Sequence, residues 1–177
     1  MKEISLHLLD LIENSVAAGA RRVDLDVRED RAEDTLRIVV IDNGRGIPAD
    51  MLRTAADPFT TTRDTRKVGL GLPLLAAAAE QAGGRFEITS EPGKGTTVRA
   101  QFQLSHVDRA PLGRIEETLA TAAALHPTLD LRFRHSAAAG HYRVDTSALR
   151  DAGGPAALLR QIRQLVQDGR TRIHSIS

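Results

Sequence analysis

Two polar side chains near the start of the chain have the right types to handle a metal ion and water. Asp10 and Asn14 lie four residues apart in a segment with helical periodicity, so they share one helix face, and His7 precedes Asp10 by three. A carboxamide can ligate Mg²⁺, and a carboxylate can orient or deprotonate water. A solvated polar stripe on an amphipathic helix has the same spacing, and for the pair taken alone this is the better interpretation.

A carboxylate also follows the most hydrophobic of the predicted strands. Asp42 comes directly after residues 36–41 and begins the segment DNGRGI, which contains Gly44, Gly46 and Ile47. A carboxylate at a strand end can accept a hydrogen bond from the exocyclic amine of adenine, and the two glycines allow a ligand to approach the backbone closely. Asn-Gly after a strand is also the commonest hairpin signal, so the segment by itself indicates a turn.

Glycines open the second long predicted helix. Gly69, Leu70, Gly71 and Leu72 stand at its start, and Lys67 is one of three basic residues that precede it. Amides exposed at a helix N-terminus bind phosphate with help from the helix dipole, and nearby cations strengthen that binding. A single Gly-x-Gly is nevertheless a weak motif, because glycines are common in loops of every kind.

Hydroxyl groups are the last chemical feature. The segment DPFTTT at residues 57–62 offers Thr60 and Thr61 to phosphates beside one aromatic anchor, as a lid over a site would. Thr96 follows Gly95 at the entry to a predicted strand, where its hydroxyl can reach a nucleotide. Taken singly, the two segments are better explained as a polar loop and an ordinary turn.

Hydrophobic periodicity predicts the elements that must position these residues. We expect a two-layer α/β sandwich in which a mixed or antiparallel sheet carries its helices on one face. The predicted elements are a helix over 3–19, strands over 23–27 and 36–41, a short helix near 51–52, a helix over 70–81, and strands over 85–89 and 96–104. A smaller α-β-β-α extension follows, with helices over 115–125 and 156–167 and strands over 129–134 and 142–146. We therefore predict a domain over 1–105, a linker over 106–113 and an extension over 114–177 whose role the sequence does not reveal.

Composition narrows the classes of function. Hydrophobic residues make up 41% of the 177, as in a globular protein, and the absence of cysteine excludes disulfides and thiolate metal sites. A net charge of +1 and an aromatic content of 3% argue against nucleic-acid binding and against an anionic membrane as a partner. No apolar stretch is long enough to cross a bilayer, and the first residues lack a signal-peptide pattern, so we expect a cytoplasmic protein.

The order of the segments, more than any one of them, resembles the GHKL superfamily of ATP-binding domains. Gyrase, a heat-shock chaperone, histidine kinases and mismatch-repair ATPases belong to that superfamily. The resemblance covers residues 4–104, and its motifs follow in chain order. They are LLDLIENS at 8–15 for the N box, DNGRGI at 42–47 for the first glycine box, DPFTTT at 57–62 for the F box of histidine kinases, VGLGL at 68–72 for the second glycine box, and GTTV at 95–98 for the closing Gly-Thr element.

The resemblance implies ATP and Mg²⁺ as ligands and a role for each matched residue. Asn14 would coordinate the Mg²⁺, Asp42 would bind the adenine amine with Gly46 beneath the ring, and Thr96 would support the adenine end. Asp10 occupies the position of the glutamate that acts as general base in hydrolytic members, and it is one methylene shorter. The implied nucleotide-binding set is Asn14, Asp42, Gly44, Gly46, Ile47, Thr60, Thr61, Lys67, Gly69, Leu70, Gly71, Leu72 and Thr96.

Two classes of function fit this resemblance. One is an enzyme of bacterial signal transduction, either a slow ATPase or a kinase that acts on a protein partner. The other is a non-catalytic module whose interactions are gated by nucleotide. The chain as given begins almost at the N box, so we expect no upstream phosphoacceptor helix of the kind that sensor kinases carry. The whole chain also resembles small stand-alone ATP-binding proteins of anaerobic bacteria that accompany hydrogenase or NADH-oxidising subunits. We expect a protein partner, and the sequence leaves homodimer formation open.

Overall fold

The computed structural model describes residues 3–55, 71–150 and 153–175. Its helices are α1 (Ile4–Ala17), α2 (Ala49–Ala55), α3 (Gly71–Gln81), α4 (Ile115–Leu125), α5 (Thr146–Leu149) and α6 (Pro155–His174). Its strands are β1 (Arg22–Asp30), β2 (Thr35–Asp42), β3 (Arg85–Glu91), β4 (Gly95–Gln103), β5 (Asp130–Ala137) and β6 (Gly140–Asp145). The helices and strands expected from periodicity are all present, and α5 is a short addition between β6 and α6.

All six strands form one sheet in the order β3-β4-β2-β1-β5-β6. Neighbouring strands are antiparallel except for β1 and β5, which run parallel. Parallel strands cannot be joined by a tight hairpin and need a crossover between them. The chain makes this crossover after β4, where α4 leads it back to place β5 beside β1. Of the two predicted arrangements, mixed or antiparallel, the structure has the mixed sheet.

The long helices cover one face of this sheet. α1 packs between α3 and α4, while α6 packs on α4 and β6. The strands alternate accordingly: Val23, Leu25 and Val27 of β1 are buried, whereas Asp24, between them in sequence, forms an ion pair with Arg22. Since successive strand residues point to opposite faces, the buried set belongs to the face under the helices. The predicted two-layer arrangement is confirmed.

The C-terminal α-β-β-α segment extends this sheet instead of forming a sheet of its own. Leu131, Phe133 and Ile162 belong to the same buried cluster as Ile4 of α1. The predicted linker, residues 106–113, also takes part in the packing, because Pro111 and Leu112 accept hydrogen bonds from the first amides of α1 at 3.0 and 2.9 Å. The extension therefore buttresses the helix that carries the first predicted motif.

The end of α1 sets the entry to β1. Gly19 has a φ of +78°, and its amide donates to the Val16 carbonyl at 2.8 Å, while the Ala20 amide donates to the Ser15 carbonyl at 3.0 Å. These bonds satisfy carbonyl groups that the helix end leaves free, and glycine accepts this left-handed backbone without strain. Within the described parts of the chain, no helix is both long and apolar enough to span a membrane.

Candidate functional site

A cavity of about 750 Å³ opens between α1, the loop after β2, and β4. We call residues 43–48 the glycine loop. The volume suits a small organic ligand, since such sites typically measure about 300–1,000 Å³. Apolar side chains dominate the walls, and polar groups are few. The lining residues are Leu11, Asn14, Ser15, Ala17, Ala18, Val40, Asp42, Arg45, Gly46, Ile47, Pro48, Met51, Leu72, Pro92, Thr96 and Val98.

The carboxylate of Asp42 is held in the cavity wall by two hydrogen bonds. The Gly44 amide donates to Oδ1 at 2.8 Å, and the Ser15 hydroxyl of α1 lies 3.1 Å from Oδ2, with its single proton shared between this oxygen and the Leu11 carbonyl at 2.9 Å. The bond to Gly44 is an Asx-turn that starts the glycine loop, and the bond to Ser15 fixes the carboxylate against α1. A carboxylate oxygen has more than one acceptor position, so Asp42 can still accept an N–H from a ligand in the cavity.

The glycine loop is anchored by its own backbone. The Arg45 amide donates to the Ala18 carbonyl at 2.9 Å, and the Arg45 carbonyl accepts from the Gly93 amide at 2.8 Å. Gly46 has a φ of +73°, and a Cβ at this position would collide with the Glu91 carbonyl oxygen. We expected close approach of a ligand to explain this glycine. The adjacent β3–β4 turn explains it directly, although Gly46 also lines the cavity.

Thr96 lies directly opposite Asp42 in the β2–β4 pair, and both residues line the cavity. The Thr96 hydroxyl lies 3.0 Å from Ser90 Oγ. Ser90 Oγ also accepts a hydrogen bond from the Ile47 amide at 2.8 Å and donates one to the Gly95 carbonyl at 2.8 Å. Ser90 therefore joins β3, the glycine loop and the cavity floor formed by Asp42 and Thr96.

Asn14 and Asp10 have different surroundings although both lie on α1. Asn14 lines the cavity, and its side-chain nitrogen is buried without a hydrogen-bond partner among the described residues. Asp10 is exposed and is not among the described lining residues. Its Cβ lies 2.6 Å from the point that a Cβ on Gly71 would occupy, so Asp10 packs against the first residue of α3.

The polar side chains at the cavity fit a Mg²⁺ ion that has few protein ligands and takes the others from phosphate oxygens and water. Across residues 3–55, 71–150 and 153–175, no group of three or more His, Cys, Asp or Glu side chains could hold a metal ion. Mg²⁺ commonly uses one or two protein groups and completes its shell with phosphate oxygens and water. Asn14 can supply one oxygen ligand. Rotation of its side-chain amide by half a turn places the oxygen where the unpartnered nitrogen now lies.

Comparison with known proteins places these features in a family. Residues 2–106 match the histidine kinase-, DNA gyrase B- and HSP90-like ATPases, a match that spans more than half of the chain. The chain belongs to this ATPase family. The expected superfamily is thereby confirmed, and the matched span contains the cavity together with α1, the glycine loop and β4.

Relatives within this ATPase family are much longer proteins. The non-motile and phage-resistance protein of Caulobacter vibrioides is 33% identical over 115 residues, which cover 62% of this chain and 14% of that protein. The sensor histidine kinase ZraS of Escherichia coli is 31% identical over 106 residues, which cover 60% of this chain and 23% of that protein. The chain thus spans less than a quarter of the length of either relative.

A solved structure is similar in fold beyond the matched span. The N-terminal domain of a DNA repair protein superposes with a TM-score of 0.54 at 15% identity, covering 82% of this chain and 52% of that one. At this identity the likeness concerns the fold alone. The superposed part, 82% of this chain, is longer than residues 2–106. The likeness in fold therefore includes part of the C-terminal extension.

The residues expected at the phosphates of an ATPase of this family are described only in part. Gly71 begins α3, and Leu72 is buried in the cavity wall. Outside the described residues lie Thr60, Thr61, Lys67, Gly69 and Leu70, and their roles stay predictions.

Sequence reasoning missed three polar residues of the site. Ser15 and Ser90 position other groups through hydroxyl bonds, and Arg45 is a cation in the cavity lining. Ser15 lies in the N box and Arg45 in the first glycine box, so their positions in these motifs could have identified them as site residues. Ser90 precedes the turn between β3 and β4, and only the folded arrangement brings its hydroxyl to the glycine loop.

Proposed function

We propose that the chain binds Mg·ATP in this cavity and uses it as a slow ATPase or as a kinase directed at a protein partner. The observation that carries the proposal is the Asp42 carboxylate, fixed by Ser15 and Gly44 at the wall of a largely apolar cavity. An acceptor among apolar walls suits a purine that presents an amine, because the ring gains burial while the amine keeps a hydrogen bond.

The side chains around Asp42 support an aromatic base. Val40, Ile47 and Val98 supply flat apolar contact, and Thr96 adds a second oxygen on the floor beside Asp42. The cavity extends along α1 to Asn14, which would supply a ligand to a Mg²⁺ ion that accompanies the nucleotide. The ion would neutralise phosphate charge, while the chain's own residues orient the base.

Asp10 decides between turnover and binding alone. Asp10 lies four residues before Asn14 on α1 and packs against Gly71 at the start of α3, the helix whose N-terminus we expect to bind the phosphates. In that place it would orient or deprotonate the attacking water or a partner's hydroxyl. Its exposure and its absence from the described cavity lining favour a second candidate, a nucleotide-gated interaction module that binds without hydrolysis.

The fate of the γ-phosphate tests this proposal. The full chain is incubated with Mg²⁺ and γ-labelled ATP, and bound nucleotide, free phosphate and protein-bound label are measured separately. Free phosphate in excess of the protein concentration supports an ATPase. Retention of intact ATP supports a phosphoryl donor or a gate that awaits its partner. Failure to bind ATP at millimolar concentration would overturn the proposal.

Further expectations concern the setting of this activity. A protein partner, a bacterial signalling role and a cytoplasmic location follow from the resemblance of the motifs and from composition. The likeness to small proteins that accompany hydrogenase or NADH-oxidising subunits is also still a prediction. Isolation of the tagged chain with its bound proteins, followed by mass spectrometry, tests the expected partner and shows whether it is a signalling protein or a hydrogenase or NADH-oxidising subunit.

A further inference from the structure

Ser90 stands outside every motif considered above, yet its hydroxyl has three polar neighbours. The Ile47 amide lies 2.8 Å from Oγ, the Gly95 carbonyl 2.8 Å, and the Thr96 hydroxyl 3.0 Å. A serine hydroxyl has one proton to donate and two lone pairs to accept with. All three positions of Ser90 are therefore in use.

The proton count assigns each bond a direction. The Ile47 amide can only donate and the Gly95 carbonyl can only accept, so Ser90 accepts from the first and gives its single proton to the second. One lone pair of Ser90 remains, and the contact to Thr96 is then filled by the Thr96 proton. The Thr96 hydroxyl therefore points its proton at Ser90, which is not among the described residues that line the cavity, and keeps its own lone pairs for accepting.

We infer that Ser90 is a positioning residue for base selection: it fixes Thr96 as a hydrogen-bond acceptor, so that the cavity floor accepts hydrogen bonds and donates none. The inference rests on the proposed function and deepens it. Asp42 and Thr96 are direct cross-strand neighbours, so the same edge of a bound base meets both oxygens. An amine at that edge finds acceptors on two sides.

This arrangement discriminates against a 6-oxo purine. Hypoxanthine differs from adenine by a carbonyl oxygen in place of the amine and by a proton on the adjacent ring nitrogen. With the 6-position between Asp42 and Thr96, the carbonyl oxygen would face the carboxylate and the Thr96 lone pairs without a donor, and the single ring N–H would satisfy only one of these two acceptors. Removal of the Ser90 hydroxyl would release the Thr96 proton, which could then turn to the carbonyl of the base. The ratio of the dissociation constants of ITP and ATP is thus the property that Ser90 sets.

The experiment compares ATP and ITP binding by calorimetry in the wild type and in Ser90→Ala, Ser90→Cys and Thr89→Ala. Thr89 precedes Ser90 on β3 but is exposed and points to the other face of the sheet, so Thr89→Ala is the matched control. We expect the ratio of Kd(ITP) to Kd(ATP) to fall roughly tenfold in Ser90→Ala, as one gained hydrogen bond permits. Ser90→Cys retains the size and has weak donor and acceptor strength, so it should shift the ratio in the same direction by less.

Each outcome has one interpretation. A selective fall in the ratio in either Ser90 variant, with Thr89→Ala unchanged, supports the inference. A parallel rise of both dissociation constants at constant ratio overturns it, because a merely structural serine weakens all nucleotides alike. If Ser90→Ala is unfolded by circular dichroism, Ser90→Cys decides in the same way. No ATP binding by the wild type contradicts the proposed function itself, which separates the two failures.

Discussion

Ser15 and Asp42 are linked by a hydrogen bond of 3.1 Å from the serine hydroxyl to Oδ2, although 27 residues separate them in the chain. The bond joins α1 to the end of β2 across the cavity wall. It keeps the carboxylate in one orientation, while the Gly44 amide holds the other oxygen. The helix that carries Asn14 and the strand that carries Asp42 are thereby fixed relative to each other.

Ser15→Ala should weaken ATP binding without unfolding the chain. Alanine is well tolerated in a helix, so the chain should stay folded although the variant loses the Ser15 hydroxyl contacts to Asp42 and to the Leu11 carbonyl. We expect Kd for ATP to rise roughly threefold to tenfold, the usual range for one hydrogen bond. Titration calorimetry measures this, with Ser136→Ala on β5 as the control. An unchanged Kd would show that Asp42 needs no help from Ser15.

Gly46→Ala and Gly93→Ala form a matched pair, because both glycines have positive φ, +73° and +79°. A Cβ at Gly93 meets nothing within 4 Å, whereas one at Gly46 collides with the Glu91 carbonyl. Gly93→Ala should therefore cost only the left-handed backbone strain, about 1–2 kcal/mol. Gly46→Ala should cost about 1–3 kcal/mol more through overpacking. Urea unfolding of both variants tests the difference, and equal losses would contradict the observed contact.

Acid should destabilise the packing of α6 through Glu29. Burial acts to raise the pKa of Glu29, but hydrogen bonds and charge from His135 and His174 outweigh it and lower the pKa from 4.5 to about 2. Because the folded pKa lies below the unfolded one, the stabilisation is complete above pH 4.5 and is lost as the pH falls to about 2. The expected loss is roughly 3 kcal/mol across that window.

Unfolding free energies of the wild type and Glu29→Gln, measured between pH 6 and pH 2, test this dependence. The difference between the two proteins should shrink as the pH falls through the window, since the protonated wild type resembles the variant. Glu33→Gln, at a side chain that is 62% exposed, serves as the control. A difference that stays constant with pH would show that the Glu29 charge does not stabilise the fold.

Asp10→Asn should block turnover and leave ATP binding within about twofold of the wild type. The carboxylate lies on α1 against Gly71 and outside the described cavity lining, so its loss removes a base and not a contact to adenine. Phosphate release is followed under saturating Mg·ATP, with Kd measured in parallel. Full turnover in Asp10→Asn would show that Asp10 is not the general base.

Much of the fold was predictable because its elements have clear periodicity. The helix over 115–125 and the strand alternation around Val23–Val27 were visible as patterns of apolar spacing. The position of β5 was not, because a parallel pairing between Arg22–Arg28 and Asp130–Ser136 joins segments about a hundred residues apart. Nothing local in either strand specifies that partner.

Most residues that line the candidate site were predictable from the sequence, but the residues that hydrogen-bond to them and hold them in place were not. Asn14, Asp42, Gly46, Ile47, Leu72 and Thr96 were all expected, and the structure brings them to one cavity. Ser15 and Ser90 were missed, because the importance of a hydroxyl depends on what the fold places beside it. Gly46 was expected because a ligand was to approach its backbone closely. In the structure, the group that lies close to its backbone is the Glu91 carbonyl.

The most direct test of the account is ATP binding by Asp42→Asn, compared by titration calorimetry with the wild type and with Asp26→Asn. Asparagine can keep a carbonyl for the Gly44 amide, so the fold should persist, but its own N–H₂ replaces an acceptor that the adenine amine needs. Asp26 lies on β1 at the open face of the sheet near Arg134, away from the cavity. We predict that the wild type and Asp26→Asn bind Mg·ATP and that Asp42→Asn, folded by circular dichroism, does not. ATP affinity in Asp42→Asn equal to that of the wild type would contradict the assignment of the cavity as the nucleotide site.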